Sequence, residues 1–379
     1  MKLAFCLYKY FPYGGLQRDF LRIAMICKSR GHQIQVFTLS WQGDRPEGFD
    51  IQVIAKKGIS SPTRYRHFYR EVKAELSANP VDVIVGFNKM PGLDIYYAAD
   101  PCYAHKARYL RSAAYRLTSR YRHFTHYEEA VFGAGGPEIL LISEQQKPLF
   151  QQFYGTGEER FHLLPPGIDK SRCAPDNAEE IRQGFRREFN LGEKDLLLLL
   201  IGSGFKTKGL DRILLAIKNL PEPFRSNVSL MVIGQDDPAL FQREAKKLGI
   251  IDRVQFFSGR DDIPQFLQGA DLLVHPAYSE NTGTVILEAL VAGLPVLATA
   301  NCGYAHFVEE SGGGCVAAEP YQANNFENLL LSLLQTLQTG TSSLRASALA
   351  WSKMADIYGL PQRASELIES LGTARRNQI

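Results

Sequence analysis

Short runs of consecutive aliphatic residues alternate with stretches whose apolar positions recur every three or four residues along most of this chain. A parallel strand buried on both faces reads as an unbroken apolar run, whereas the helix covering it shows a single apolar stripe. The alternation therefore predicts successive βαβ units. Residues 3–7 read as a first strand, Gly14-Gly15 as a tight turn, and residues 16–29 as a helix with apolar side chains at 16, 20, 21, 23 and 24. Strands at 33–39, 81–86, 95–99 and 139–142, with a helix at 64–76, complete an N-terminal sheet. Pro165-Pro166-Gly167 interrupts the rhythm and reads as a hinge. A second sheet follows, with strands at 196–201, 229–233, 254–257, 272–274 and 295–298, and helical patterns at 326–337 and towards residue 371. The expected division is a first domain of residues 1–166 and a second of 167–356.

Composition changes little in that picture. A length of 379 residues suits two domains, and 45% hydrophobic with 22% charged residues is ordinary for globular proteins. Six cysteines (Cys6, Cys27, Cys102, Cys173, Cys302 and Cys315) are scattered without a Cys-x-x-Cys, as unpaired thiols are in a reducing compartment. The apolar stretch at residues 3–8 is shorter than a secretory signal requires, and no run approaches the ~20 apolar residues of a membrane span. A cytoplasmic chain is expected. The net charge of +3 does not by itself point to nucleic acid.

The candidate chemistry concentrates in the second half. In His275-Pro-Ala-Tyr-Ser-Glu280-Asn-Thr-Gly-Thr-Val-Ile-Leu-Glu288 two glutamates stand eight residues apart, the first in a loop and the second inside a predicted buried helix. A carboxylate at a loop-to-helix junction accepts sugar hydroxyls while the unpaired N–H groups of the first turn face an anion; a second, buried carboxylate suits a ribose diol. The plainer alternative is a capped surface helix with an incidental acid. Earlier, the 196–201 strand runs into Gly202-Ser-Gly-Phe-Lys206-Thr-Lys208-Gly209 and then a helix, a pattern that predicts a backbone anion cradle. It is not a P-loop, because Leu210-Asp211 follows Gly209, nor a dinucleotide fingerprint, because position 207 is Thr. Lysine is disfavoured at a helix N-terminus, so Lys206 and Lys208 call for an anionic counterpart.

In the first half, Gly14-Gly15 opens a helix where a ligand can approach the backbone closely. Asp19, one turn on, reads either as a sugar ligand or as an ordinary first-turn acid. Asp100 follows a strand's C-terminal end, where ligands gather in open α/β sheets, although Pro101 also suits a structural turn. Between Lys106 and Arg122 lie six basic residues (Lys106, Arg108, Arg111, Arg116, Arg120 and Arg122) and no acid, interleaved with Tyr109, Leu110, Tyr115, Leu117 and Tyr121. That composition is one of an interfacial membrane helix; RNA binding and a solvated surface helix are its alternatives. His123-Phe-Thr-His126 lacks the spacing of a metal site.

The glutamate pair resembles the Glu-x7-Glu signature of the retaining, nucleotide-sugar-dependent glycosyltransferases of family 4. Within them, Tyr8-Lys-Tyr-Phe-Pro-Tyr-Gly-Gly15-Leu-Gln-Arg-Asp19, Gly86-Phe-Asn-Lys-Met-Pro-Gly-Leu-Asp94, Leu163-Leu-Pro-Pro-Gly167-Ile and Cys302-Gly-Tyr-Ala-His306 resemble the lipopolysaccharide core glucosyltransferases. The resemblance implies an α/β fold of the GT-B type, with two Rossmann-like domains facing across a cleft and a C-terminal helix, about 357–372, crossing back to the first domain. It implies transfer of glucose from UDP-glucose, with retained α configuration, to an inner-core heptose.

Carried onto matching positions, the resemblance puts Lys208 on the donor diphosphate, Glu280 with the backbone from Thr282 through Gly283 to Thr284 on the transferred sugar, and Glu288 on the ribose. It puts Gly15 and Asp19 against the donor's phosphates or sugar, and Arg260 at the nucleobase edge, with a surface salt bridge as its alternative. Ser203 stands where many relatives have arginine, which makes Arg172 the candidate for the second cation. Asp100 stands near a sugar-contacting histidine of relatives, so its role is open between catalysis and hydroxyl binding. No metal or other cofactor is expected, the partners being the UDP-sugar, a lipid-anchored acceptor and an anionic membrane surface on the cytoplasmic face of the inner membrane. A transferase with another UDP-sugar or envelope acceptor, or a nucleotide-sugar epimerase, are the alternatives on the same fold.

Overall fold

The computed structural model describes residues 1–12, 14–109, 111–339 and 343–376. They form two compact units, one of Met1–Gly167 together with the chain from Tyr358 onward, the other of Ile168–Ile357.

The first unit is built on seven parallel strands, β1 (Lys2–Cys6), β2 (Gln33–Thr38), β3 (Phe49–Val53), β4 (Val83–Gly86), β5 (Ile95–Ala98), β6 (Glu138–Leu141) and β7 (Phe161–Leu163). Their order is β3-β2-β1-β4-β5-β6-β7. Side chains of β1 alternate between the faces. Leu3 and Phe5 join Phe20, Ile23 and Cys27 of helix α1 (Gly15–Ser29) and Leu360 and Ile368 of the last helix, Leu360–Arg376. Ala4 and Cys6 join Phe68 and Val72 of α2 (Ser61–Ala78) and Tyr127 and Val131 of α4 (Ser119–Phe132) on the other face. The C-terminal helix thus packs on the first unit, against α1, where Arg30 and His32 meet Glu369 at 2.5 and 2.7 Å.

The second unit has six parallel strands, β8 (Leu196–Ile201), β9 (Val228–Ile233), β10 (Val254–Phe257), β11 (Leu272–His275), β12 (Val296–Thr299) and β13 (Gly314–Ala317), in the order β10-β9-β8-β11-β12-β13. Covering helices on both sides explain the six consecutive aliphatics of β8, five of them buried. In both sheets the order reverses beside the first strand, between β1 and β4 and between β8 and β11. The loops leaving the carboxyl ends of those strands are where such sheets bind ligands.

Candidate functional site

In the second unit the reversal point is held together by glycine. Gly209 sits at a φ of 79° and caps the Leu210–Asn219 helix. A Cβ there would lie 2.0 Å from the carbonyl oxygen of Pro276, so only glycine lets the loop after β8 pack against the loop after β11. Lys208, brought across by that contact, forms an ion pair with Glu280, and both side chains are largely buried. His275, the last residue of β11, is fully buried and places Nε2 3.3 Å from the same carboxylate oxygen. Burial, and then the Lys208 charge, push its protonation down to about 3. The ring is therefore neutral and reaches the carboxylate as a donor only through an Nε2–H. Both contacts, from Lys208 and from His275, are made to Oε2 of Glu280.

Thr282 accepts a 2.7 Å bond from the Tyr304 N–H, which fixes the loop ahead of the Thr284–Val291 helix. Gly283, at a φ of 80°, caps that helix, whose first-turn N–H groups have no side-chain cap from it. Glu288 lies one turn further, buried, with Arg172 Nε 3.6 Å from its Oε1. Arg172 ends a 3₁₀ turn, Lys170–Arg172, in which the Ser171 N–H donates to the Asp169 carboxylate at 2.9 Å. Two cation–carboxylate pairs therefore flank one short helix: Lys208 with Glu280 before it, and Arg172 with Glu288 within it.

The glycine-rich turn departs from the expected backbone cradle. Asp236, just past β9, accepts the N–H groups of Gly204 and Phe205, each at 2.8 Å, and the N–H groups of Lys208 and Gly209 go to Gly204 and Lys206 carbonyls. Those four N–H groups are thus engaged within the unit, and the turn brings the Lys208 side chain to Glu280. Lys206, two-thirds exposed, pairs instead with Asp211, which also accepts the Tyr278 hydroxyl at 2.7 Å. Arg260, just past β10, is held in a two-point pair with Asp262 at 2.7 and 2.6 Å and rests near the Phe266 ring, the salt-bridged arrangement.

Three features were not anticipated from the sequence. His275 headed the glutamate segment without a role, and it extends the strand expected at 272–274 by one residue. Arg212 lies 3.7 Å from the ring centres of both Tyr278 and Tyr321 and donates to the Pro276 carbonyl, bracing the Glu280 loop. Asp236 reaches the turn from more than thirty residues away.

In the first unit, Gly15 opens α1 with nothing within 4 Å of a hypothetical Cβ, so its backbone is open to approach. Asp19 Oδ2 accepts the hydroxyl of Tyr97 at 2.7 Å, and Asp100 is exposed two residues past β5. All three belong to the first unit, whereas the Glu280 and Glu288 pairs belong to the second.

The basic-aromatic segment is not one interfacial helix. It breaks into α3 (Tyr103–Tyr109), a 3₁₀ turn (Ala113–Leu117) and the start of α4, where the Thr118 hydroxyl caps the new helix at the Tyr121 N–H; Leu110 lies outside the described residues. Arg108, Arg111, Arg116, Arg120 and Arg122 are exposed, Lys106 is half-buried, and Tyr109 and Leu117 stand out into solvent. Arg111 and Arg120 lie 5.4 and 5.2 Å over the rings of Tyr115 and Phe124. No described helix is long and apolar enough to cross a membrane.

Comparison with known proteins agrees with this architecture. Residues 13–172 match the family model described as Glycosyltransferase Family 4, and residues 181–340 match that of Glycosyl transferases group 1. The chain is 44% identical to the lipopolysaccharide glucosyltransferase WaaG of Escherichia coli (strain K12), over 97% of this chain and 98% of that protein. A crystal structure of WaaG superimposes with a TM-score of 0.91 at 44% identity, covering 97% and 99% of the two chains. Anabaena HepE, solved in complex with UDP-glucose, shares the fold at 18% identity with a TM-score of 0.74 over 98% of this chain and 100% of its own.

Proposed function

The chain belongs to the WaaG family of GT-B glycosyltransferases, and from that premise we propose that it transfers glucose from UDP-glucose, with retention of the α configuration, to a heptose of the lipopolysaccharide inner core. The observation carrying this reading is the pair of pairs around the Thr284–Val291 helix. A UDP-sugar presents, in order, sugar hydroxyls, two phosphates and a ribose diol. Carboxylate, cation, cation and carboxylate match that order when Glu280 takes the sugar, Lys208 and Arg172 the diphosphate, and Glu288 the ribose.

As the bond between the sugar C1 and the β-phosphate oxygen breaks, negative charge builds on the leaving diphosphate. Lys208 and Arg172 stabilise it in a partly buried site, where such charge–charge contacts act strongly. The reading gives that charge to side chains rather than to a divalent ion. The acceptor hydroxyl attacks C1 from the face the phosphate leaves, and the leaving phosphate takes the hydroxyl proton. His275 is a positioning residue, donating to Glu280 so that Oε1 points at the sugar. The N–H groups of Thr282, Gly283 and Thr284 add to the sugar site. Gly15 and Asp19 contact the donor from the first unit, Arg260 lies by the uracil once its link to Asp262 opens, and Asp100 binds acceptor or donor hydroxyls.

Glu280→Gln keeps the shape and removes the charge. It is expected to lower kcat by about 10²–10³-fold and, by leaving Lys208 without its counter-charge, to cost about 1–3 kcal/mol of stability, so turnover is compared well below the melting temperature of the variant. Undiminished turnover of UDP-glucose in that variant overturns the assignment. Calorimetric titration with UDP, UDP-glucose, UDP-galactose and GDP-mannose fixes the donor.

The same reading places the enzyme on the cytoplasmic face of the inner membrane through the exposed basic segment. Each basic residue near an anionic surface contributes about 1 kcal/mol. Replacing Arg111, Arg116 and Arg120 by glutamine is therefore expected to weaken co-sedimentation with anionic vesicles about 100-fold; unchanged binding removes the membrane role of this segment.

A further inference from the structure

Away from those pairs, the first unit holds a pocket of about 720 Å³ between α2 and α4. Helix α2 contributes Thr63, Arg66 and Arg70, three and four residues apart and so on one face; α4 contributes Arg122 and His126 at the same four-residue spacing. His123 and Tyr127, on that face of α4, are 8% and 3% exposed, and both line the pocket. His123 Nε2 and the Tyr127 hydroxyl oxygen are buried and have no hydrogen-bond partner among the described residues. Buried polar groups are almost always paired, so two orphans in one concavity call for a ligand.

The charges say which ligand. No acidic side chain lines the pocket. Among the described residues neither Arg66 nor Arg70 is ion-paired, and both are exposed, while Arg122 gives one N–H to the Leu117 carbonyl at 3.1 Å. Burial first, and then Arg66 and His126, hold His123 down to about 4, so cationic repulsion is already felt at the pocket's edge. Guanidinium groups with no acid beside them invite an anion. Two guanidinium groups, a hydroxyl and an imidazole offer enough donors for the two or three unesterified oxygens of a phosphate group, which arginine forks recognise well.

We propose that this pocket is a phosphate-binding site distinct from the donor site, with Arg66 and Arg70 as its charged arms and His123 Nε2 and the Tyr127 hydroxyl as its buried partners. The volume is several times that of a bare phosphate. The group is therefore carried on a larger molecule: a phosphorylated sugar of the acceptor, which rests on the function proposed above, or the headgroup of a phospholipid.

The test uses the full chain saturated with UDP, so that the second unit's cations are occupied. Inorganic phosphate is titrated while the imidazole ¹⁵N resonances are followed. A saturable shift of the His123 signal is expected, with affinity at least tenfold weaker in the Arg66→Gln/Arg70→Gln variant, whose replaced side chains are exposed and leave the fold intact. A His123 signal that does not move, or a double variant that binds phosphate as well as the parent, overturns the proposal. UDP binding is read in the same samples, so failure of the donor assignment shows separately.

Two further arms identify the carrier. If the double variant loses binding to phosphatidylglycerol vesicles but keeps the weak binding to phosphatidylcholine, the phosphate is a lipid headgroup. If it keeps vesicle binding but a hexose phosphate no longer displaces inorganic phosphate, the carrier is a phosphorylated sugar.

Discussion

His275 shows how much one buried side chain settles. It is fully buried at the end of β11, and burial together with Lys208 lowers its protonation to about 3, whereas in an unfolded chain it titrates near 6.5. Between those values the unfolded state binds a proton that the folded state does not, so stability falls as the pH drops below about 6.5 and continues to fall towards 3. By pH 4.5 this residue alone removes about 2–3 kcal/mol. His123, held down to about 4, acts in the same direction. Urea unfolding midpoints measured from pH 7 to pH 4.5 are expected to decline steeply in the parent and less steeply in His275→Asn. Parallel pH profiles would show that the imidazole titrates in the folded protein as it does in the unfolded chain, and is not held neutral by burial.

Among the elements, α3 depends on one acid. Glu128 of α4 is fully buried and accepts the first N–H groups of α3, from Tyr103 and Ala104 at 2.8 and 2.9 Å, the Tyr154 hydroxyl at 2.6 Å and the Lys89 ammonium at 2.5 Å. Glu128→Gln strands the buried lysine and is expected to cost about 3 kcal/mol. It should also speed tryptic cleavage after Lys106 and Arg108; unaltered cleavage would mean that α3 is held by its own packing. This anchor was illegible in the sequence because its partners lie 24 to 39 residues away. The central strands β1, β4 and β8 were legible because burial on both faces leaves them unbroken apolar runs. Of the edge strands only β10 was legible: β3 carries Asp50 and Gln52 between its apolar residues, β7 has three residues, and β13 starts on glycine. Glu280, Glu288 and Lys208 could be picked out by motif, but their pairing with His275 and Arg172 depends on how the loops after β8 and β11 meet at Gly209. The break between α3 and α4 had a readable signal in Thr118, a capping residue that the run of basic side chains obscured.

In the molecule as a whole, two self-contained sheets share a chain that passes between them twice, after Gly167 and after Ile357. The outgoing and returning segments are paired on each side, with the Ile168 N–H on the Ile357 carbonyl at 2.8 Å and the Leu360 N–H on the Pro166 carbonyl at 3.2 Å. Each unit has its own buried core, so a ligand held within one unit stabilises that unit first. Lys208, Arg172 and Glu288 all belong to the second unit. UDP at 100 times its Kd therefore adds about 2.7 kcal/mol to the unfolding of that unit, which slows exchange of its slowest amides about 100-fold. Hydrogen exchange read by mass spectrometry should show this gain across β8 to β13 and little across β1 to β7. A gain confined to β1 to β7 would place the nucleotide on the first unit and separate the glutamate pair from donor binding, because a carboxylate that does not feel the ligand in its own sheet cannot be holding its ribose.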